Sequence, residues 1–486
     1  MPNWILIVES AYVLLTVFVC MRVVYDTRST TKTLAYLLMI IFLPVVGSVL
    51  YFFVGINYRK RKLYNKKIVK DEELLNQVKK KIKKGFETSE IGEFAEVFHF
   101  RKLARLIISD GCSPVYGENR VRLLLNGEQK FKEVLAALAG AKHHIHIQYY
   151  IFEDDGIGNK IKDLLIQKVK EGVKVRFIYD DFGSRSIRKT LVPELKEAGV
   201  QAFPFYRIAF LALANRLNYR NHRKIIVIDG SIAFTGGINV SDKYINGDKK
   251  QLYWRDTHLR IEGPGIYYLQ YLFIGDWNTC SGENLDPKED FFSFHEDKDQ
   301  INKSKNTVQI VASGPDSETP SILLSLLQSI HLAQSEILIT TPYFIPGESL
   351  LDAIKVATLS GIKIKLLVPD ASDSKFVNWA SRSYYGELLD SNVEIFLYKK
   401  GFIHAKTMVV DGLLAIVGTA NMDQRSFELN FEVNTLIYDE DVAMKLKGIF
   451  HKDLEDADRI DPLLWSERPR FKQLPEKLAR LLSPLL

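Results

Sequence analysis

Apolar positions fall along this chain in three regimes, and each predicts a different kind of element. Residues 4–25, WILIVESAYVLLTVFVCMRVVY, are apolar except for Glu9, Ser10, Thr16 and Arg22. Residues 34–58, LAYLLMIIFLPVVGSVLYFFVGINY, carry no charge. Helices of these lengths, rising about 1.5 Å per residue, would cross a hydrocarbon layer of about 30 Å. Pro44 and Gly47 are tolerated in membrane helices more readily than in soluble ones. An all-α transmembrane hairpin is therefore expected over 1–58, closed by the polar turn DTRSTTKT (26–33). A buried core helix is the alternative for either segment. The first lacks the basic start and small-residue cleavage site of a removable signal peptide.

In the second regime, 70–110, charges recur at helical spacing, as in EELLNQVKKKIKK, which predicts one or two connecting helices. From about 113 onward, short β-branched runs alternate with amphipathic stretches such as GNKIKDLLIQKVKEG. The stretch AKHHIHIQYYIF (141–152), a helical pattern and EGVKVRFIYDD (171–181) are echoed by AQSEILITTPYFI (333–345), a helical pattern and SGIKIKLLVPD (360–370). Each copy reads strand, helix, strand, so the class is α/β with a largely parallel, helix-covered sheet. The 486 residues accommodate two similar domains, 113–300 and 301–486, behind a connector at 59–112.

Charge changes the picture by its placement rather than its total. The net charge is +6, but YRKRKLYNKK (58–67) gathers Arg59, Lys60, Arg61, Lys62, Lys66 and Lys67. The turn before it holds only Arg28 and Lys32, so the positive-inside rule places everything from Arg59 onward in the cytoplasm. Such a collar would lie against anionic headgroups, each cation contributing about 1 kcal/mol. Glu9 is a candidate functional group within a span, although it stands near enough to the segment's start to reach the interface. The three cysteines, Cys20, Cys112 and Cys280, form no metal or disulfide pattern and fit a reducing compartment.

The chemistry lies in a motif that occurs once per repeat: His222, Lys224 and Asp229 in RNHRKIIVIDG, and His404, Lys406 and Asp411 in FIHAKTMVVDG. Both fit H-x-K-x-x-x-x-D, and the histidines are 182 positions apart. With 10 histidines, 65 cations and 59 acids in the chain, about 0.16 chance matches are expected even if Arg and Glu are allowed. A lone histidine on a strand is usually a packed residue, and the duplication is what argues otherwise. In an extended strand, residues i and i+2 face one side, so each motif offers an imidazole and an ammonium to one spot.

Downstream, GGIN (236–239) and GTAN (418–421) put Asn239 and Asn421 at matching offsets beside small residues. YWRDTHLRI and LNFEVNTLI align Asp256 with Glu432, acids that would orient the histidines through their far nitrogens. An ordinary surface acid on a strand is the alternative for each. If the repeats face each other, two histidines, two lysines and two asparagines converge on a site suited to a singly anionic phosphodiester. One histidine would attack phosphorus, and the other would protonate the departing alkoxide and then deprotonate the incoming alcohol.

At these residues the chain resembles the phospholipase D superfamily, whose signature is the duplicated H-x-K-x4-D motif with its asparagine segment. NYRNHRKIIVIDG, FTGGINVSDKY, YWRDTHLRIEGPG, TTPYFIP and GTANMDQRSFELNFEVN, with the amino-terminal hairpin, are similar to its bacterial cardiolipin synthase branch. The resemblance implies two α/β/α sandwich domains related by a pseudo-two-fold, with the active site between them. It implies a phosphohistidine on His222, with His404 as acid and base, and transfer of a phosphatidyl group between two phosphatidylglycerol molecules in a bacterial cell membrane. No cofactor is implied, and no nucleic-acid partner. The sequence holds no G-x-x-x-x-G-K-[ST] loop, H-E-x-x-H or paired-cysteine spacing.

Three rivals remain open at this level: a membrane-tethered nuclease, a lipid hydrolase that sends water to the phosphohistidine, and a non-enzymatic scaffold. In KHHIHI (142–147), His144 and His146 share a strand face as metal ligands would, although the second repeat has QSEILI there. The closing LPEKLARLLSPLL brings Leu474, Leu478, Leu481 and Leu482 near one helical face. It would lie in a membrane interface or pack on its own domain.

Overall fold

The computed structural model describes residues 3–26, 30–52, 95–111, 113–205, 219–247, 251–285, 291–292, 306–317, 319–481 and 483. The basic run at 58–67 and the expected connecting helices up to residue 94 lie outside the described residues. At the amino end, helices Asn3–Asp26 and Thr30–Phe42 enclose Val19, Val23, Tyr36, Ile40 and Tyr51. The expected second span is not one helix. Leu43 leaves helical geometry at φ −135° and ψ 67°, and Pro44 opens a separate helix, Pro44–Leu50. Proline lacks an N–H and its ring crowds the carbonyl four residues back. The charge-free stretch is thereby divided into helices of 13 and 7 residues, about 20 and 10 Å long. Among the described residues no helix is long and apolar enough to cross a membrane. The two-span hairpin read from the sequence is therefore not supported by the structure.

The first half of the remaining chain contributes strands β1 (Tyr116–Leu125), β2 (His144–Tyr149), β3 (Lys174–Asp180), β4 (Gln201–Phe205), β5 (Ile225–Ile228), β6 (Ile232–Gly236), β7 (Tyr253–Arg255) and β8 (Thr257–Glu262). The second contributes β9 (Asn306–Ser313), β10 (Glu336–Thr340), β11 (Phe344–Ile345), β12 (Lys363–Pro369), β13 (Glu394–Tyr398), β14 (Gly401–Ile403), β15 (Thr407–Val410), β16 (Leu414–Gly418), β17 (Met422–Asp423), β18 (Glu432–Tyr438) and β19 (Ala457–Arg459). Fifteen of these form a single sheet in the order β19-β13-β12-β10-β15-β16-β18-β9-β1-β8-β6-β5-β2-β3-β4. From the antiparallel β1–β9 pair outward, the order on one side matches that on the other.

The sheet is mixed, which corrects the expectation of a largely parallel one. Parallel pairing in it is confined to β2–β3–β4 and β10–β12–β13. The intervening β5–β6 and β15–β16 are hairpins, turned at Asp229-Gly230 (φ 51° and 63°) and Asp411-Gly412 (φ 54° and 68°). Asp-Gly supplies the left-handed backbone such turns require. Helices form where the sequence places both a cap and an apolar stripe. In Gly156–Lys170 the Asp155 carboxylate accepts the Gly158 N–H, and Ile157, Ile161 and Leu165 are buried at four-residue spacing. Strands β2 and β5 are buried along their whole length because helices cover both faces. One apolar cluster crosses the seam, joining Leu259, Ile261 and Val227 of the first half to Ile310, Val409 and Val433 of the second.

Candidate active site

Each motif histidine stands in the segment leading into a core strand rather than in the strand itself, and its backbone is fastened to the opposite half. The His222 N–H donates to the Phe431 carbonyl at 2.9 Å, and the His404 N–H to the Arg255 carbonyl at 2.7 Å. Next to the second of these bonds, β14 pairs in parallel with β7, so the lead-in to His404 lies alongside the lead-in to Asp256. The side chains cross the seam in the same way. His404 Nδ1 meets Asp256 Oδ2 at 2.8 Å, and His222 Nδ1 lies 3.5 Å from Glu432 Oε1. Both acids are fully buried, whereas the histidine side chains keep 20% (His222) and 15% (His404) exposure. A carboxylate only accepts, so it holds the proton of His404 on Nδ1 and leaves Nε2 with a lone pair.

Small residues make room for the acids. A Cβ on Gly237 would stand 2.1 Å from Asp256 Oδ1. Thr419 takes the equivalent place in the second half, where its hydroxyl donates to Glu432 Oε2 at 2.5 Å. The sequence alignment of Asp256 with Glu432 thus holds, but each acid faces the histidine of the other repeat.

Lys224 and Lys406 are buried and donate to the carbonyls of His222 (2.8 Å) and His404 (2.5 Å). Burial pushes Lys224 down to about 8 and Lys406 down to about 7. His404 is lowered to about 4 by burial and then by Lys406, against the pull of Asp256. His222 is pushed well below its usual value by burial, then by Lys224, Arg425 and Lys406. Burial pushes Glu432 up, to about 8. The resting centre therefore holds neutral imidazoles among cations that repel one another, and an anion placed between them relieves that repulsion.

Asn239 is buried, donating to the Tyr244 hydroxyl at 2.9 Å and accepting from the Ile151 N–H at 3.3 Å. Asn421 is buried as well, and its Oδ1 has no partner among the described residues. Asp229 and Asp411 stand apart from the centre, at the far ends of β5 and β15. Asp229 accepts the N–H groups of Lys142, His143 and His144 at 2.8, 2.8 and 2.9 Å. Asp411 accepts those of Gln334, Ser335 and Glu336 at 2.8, 2.8 and 2.9 Å. Four strand residues at about 3.3 Å each separate them from the motif lysines. The structure places both away from the histidines, where they tie a left-handed turn to the start of the neighbouring strand. Asp229→Asn or Asp411→Asn is expected to cost about 1–3 kcal/mol. Calorimetry would record a lower thermal midpoint, with turnover per folded molecule preserved.

Other residues at the site escaped the sequence reading. Tyr150 stacks on His222 at 3.9 Å between ring centres. Lys243 and Arg425 each lie four residues past a motif asparagine, a repeated spacing that was available as a signal. Lys130 is wholly buried and donates to the carbonyls of Ile238 (2.9 Å) and Asn239 (3.1 Å), bracing the loop that carries the first asparagine. His144 and His146 lie 4.6 Å apart in an aromatic cluster, with His146 bonded to Gln270 and Arg176. Among the described residues no three His, Cys, Asp or Glu side chains gather as a metal site would require.

Two histidine–lysine pairs closing on one seam of a continuous α/β sheet define a centre for phosphodiester chemistry. A family model described as "Cardiolipin synthase, PLD-like domain" matches residues 134–254 and 326–454, and one described as "Phospholipase_D-nuclease N-terminal" matches 14–55. A cardiolipin synthase of Geobacillus sp. (strain WCH70) is 42% identical over 97% of this chain and 92% of its own length. The major cardiolipin synthase of Bacillus subtilis (strain 168) is 40% identical over 99% of both. The fold is similar to that of the crystallised phosphatidylserine synthase of Haemophilus influenzae Rd KW20, with a TM-score of 0.58 and 14% identity over 79% of this chain and all of that one. The chain belongs to the cardiolipin synthases of the phospholipase D superfamily, enzymes that transfer phosphatidyl groups.

Proposed function

We propose that this centre transfers a phosphatidyl group from one phosphatidylglycerol to the free glycerol hydroxyl of a second, giving cardiolipin and glycerol. The observation that carries the reading is the crossed pairing of His222 with Glu432 and His404 with Asp256. His222 Nε2 attacks phosphorus as the bond to the departing glycerol breaks, and His404, which takes up a proton on Nε2 when the phosphate anion binds beside it, gives that proton to the departing oxygen. His404 then takes the proton of the second lipid's hydroxyl, which attacks phosphorus as the phosphorus–nitrogen bond breaks. Lys224, Lys406, Asn239 and Asn421 hold the non-bridging oxygens, whose charge restores the protons that burial loosens on the lysines. Two sandwich domains related by a pseudo-two-fold, 113–300 and 301–486, would account for one histidine from each side, and the matching strand orders support that relation.

Membrane attachment is assigned to the apolar amino-terminal helices, where Ile7, Leu14, Leu15 and Phe18 are exposed. The cytoplasmic placement rests on the collar at 58–67.

The test uses purified protein in micelles with labelled phosphatidylglycerol, excess chelator and no nucleotide. Cardiolipin with equimolar glycerol is the expected product. Phosphatidic acid alone would make the protein a hydrolase, and no lipid turnover would favour the nuclease. The lysines also set a pH limit. Their cationic forms hold the phosphate and are lost as pH rises through about 7 to 8. A kcat/KM profile is therefore expected to fall on its alkaline side, with Lys406→Arg, which keeps its charge, moving that limb to higher pH. An unmoved limb would take Lys406 out of this role.

A further inference from the structure

Among the described residues, helix Arg470–Leu481 meets the second half along one side. On that side Glu476 is buried, accepting Arg382 Nε at 3.0 Å and the two Arg468 terminal nitrogens at 2.9 and 3.0 Å. Ala479 enters the apolar core, and the Ser483 and Tyr384 hydroxyls meet at 2.9 Å. The opposite side carries Phe471, Leu474, Leu478 and Leu481, spaced three, four and three residues apart and between 54% and 75% exposed. The short helix before it, Pro462–Ser466, adds Leu463 and Leu464, which are 74% and 68% exposed.

A helix of a soluble domain turns its apolar stripe inward and its charges outward. Here the arrangement is reversed: the ion pairs face protein and the leucines face out. Exposed apolar area of this kind marks an interaction surface. The cations flanking it point to the partner, since Arg470 and Lys477, beside Leu474 and Leu481 on the helix surface, are both exposed. Asp461, an acid on this rim, is occupied in capping Leu463 and Leu464. The cavity of about 480 Å³ beneath the helix is not the docking place, because its Arg468 and Arg480 are already engaged by Glu476 and Glu387.

We propose that helix Arg470–Leu481, with Leu463 and Leu464, lies in the plane of an anionic bilayer. Its leucines sit below the headgroups, and Arg470 and Lys477 sit among the lipid phosphates. An amphipathic helix with basic flanks and an apolar face binds this way, by buried area plus attraction to anionic lipid. The surface holds the second half of the enzyme down at a point far along the chain from the amino-terminal helices.

The experiment uses the full chain, with its three cysteines changed to serine, in vesicles of phosphatidylglycerol and phosphatidylcholine. Spin labels are placed singly through Leu474→Cys, Leu478→Cys and Leu481→Cys, with Glu197→Cys as an exposed reference. Collisions with oxygen are expected to exceed those with an aqueous nickel chelate at the three leucine sites, and the reverse at 197. Nickel prevailing at the leucine sites would mean that they face water. Exclusion of both reagents would mean that protein covers them, and either result overturns the proposal. On the unaltered chain, trypsin cleavage after Lys472 and Lys477 is expected to be lost in phosphatidylglycerol vesicles and to return in phosphatidylcholine alone. Equal cleavage in the two overturns it independently of the labels.

Discussion

With His222 replaced by alanine, no phosphatidyl–enzyme is expected to form, and transfer should fall roughly 10⁴-fold or more. The reason is positional. His222 has its Nδ1 side turned to a buried glutamate, its ring stacked on Tyr150 and its side chain still partly reachable. Burial and the surrounding cations keep it neutral, as a nucleophilic nitrogen must be. In His404→Ala the attachment site survives, so an adduct should form and resolve slowly, with loss of about 10²–10⁴-fold from missing acid and base catalysis. Mass spectrometry after a non-acidic quench reads both. Lipid found on His404 of the His222→Ala protein would reverse the two roles.

The second large effect concerns the acids, and it crosses the repeats. Asp256→Asn should behave as a weakened His404 variant, and Glu432→Gln as a weakened His222 variant, each losing about 10²–10⁴-fold. An amide can turn its NH2 as well as its oxygen toward the ring, so Nδ1 is no longer held as the protonated nitrogen and the nitrogen aimed at the substrate is not reliably the one with the lone pair. The 2.8 Å contact of His404 makes Asp256 the more sensitive of the two, since the His222–Glu432 approach is 3.5 Å. Adduct should accumulate in Asp256→Asn and be scarce in Glu432→Gln. The opposite pattern, or near-normal rates in both, would show that the acids serve the folding of their own repeats.

Much of this site was legible because it is written twice. The shared spacings pair His222 with His404, Lys224 with Lys406, Asn239 with Asn421 and Asp256 with Glu432 in the sequence alone. What a linear repeat cannot contain is which half packs on which, so the crossing of the acids appeared only with β14 lying on β7. A motif does not say which of its members touch substrate, and Asp229 and Asp411 stand at the far ends of their strands. The Asp-Gly pair was also a turn signal, and the structure uses it as one. The mixed sheet follows from those same hairpins. Lys130 gave no signal, since a lysine on an amphipathic helix reads as solvated until its carbonyl partners, more than a hundred residues away, are brought to it. Pro44 was weighed as tolerable in a membrane helix, whereas it divides that segment into two helices.

The β1–β9 seam constrains how the enzyme can move. Because strand pairing continues through all fifteen strands, with a register shift at the β1–β9 seam itself, swinging the halves apart on a hinge between turnovers would break that pairing. On the proposed mechanism, donor and acceptor would then use the same site in succession, with no hinge closure to seal the phosphohistidine from solvent. The seal has to be the next lipid. Where phosphatidylglycerol is crowded, an acceptor fills the mouth soon after glycerol leaves. Where it is sparse, water has longer to arrive, so the proposed mechanism expects the partition between synthesis and hydrolysis to follow the surface density of phosphatidylglycerol.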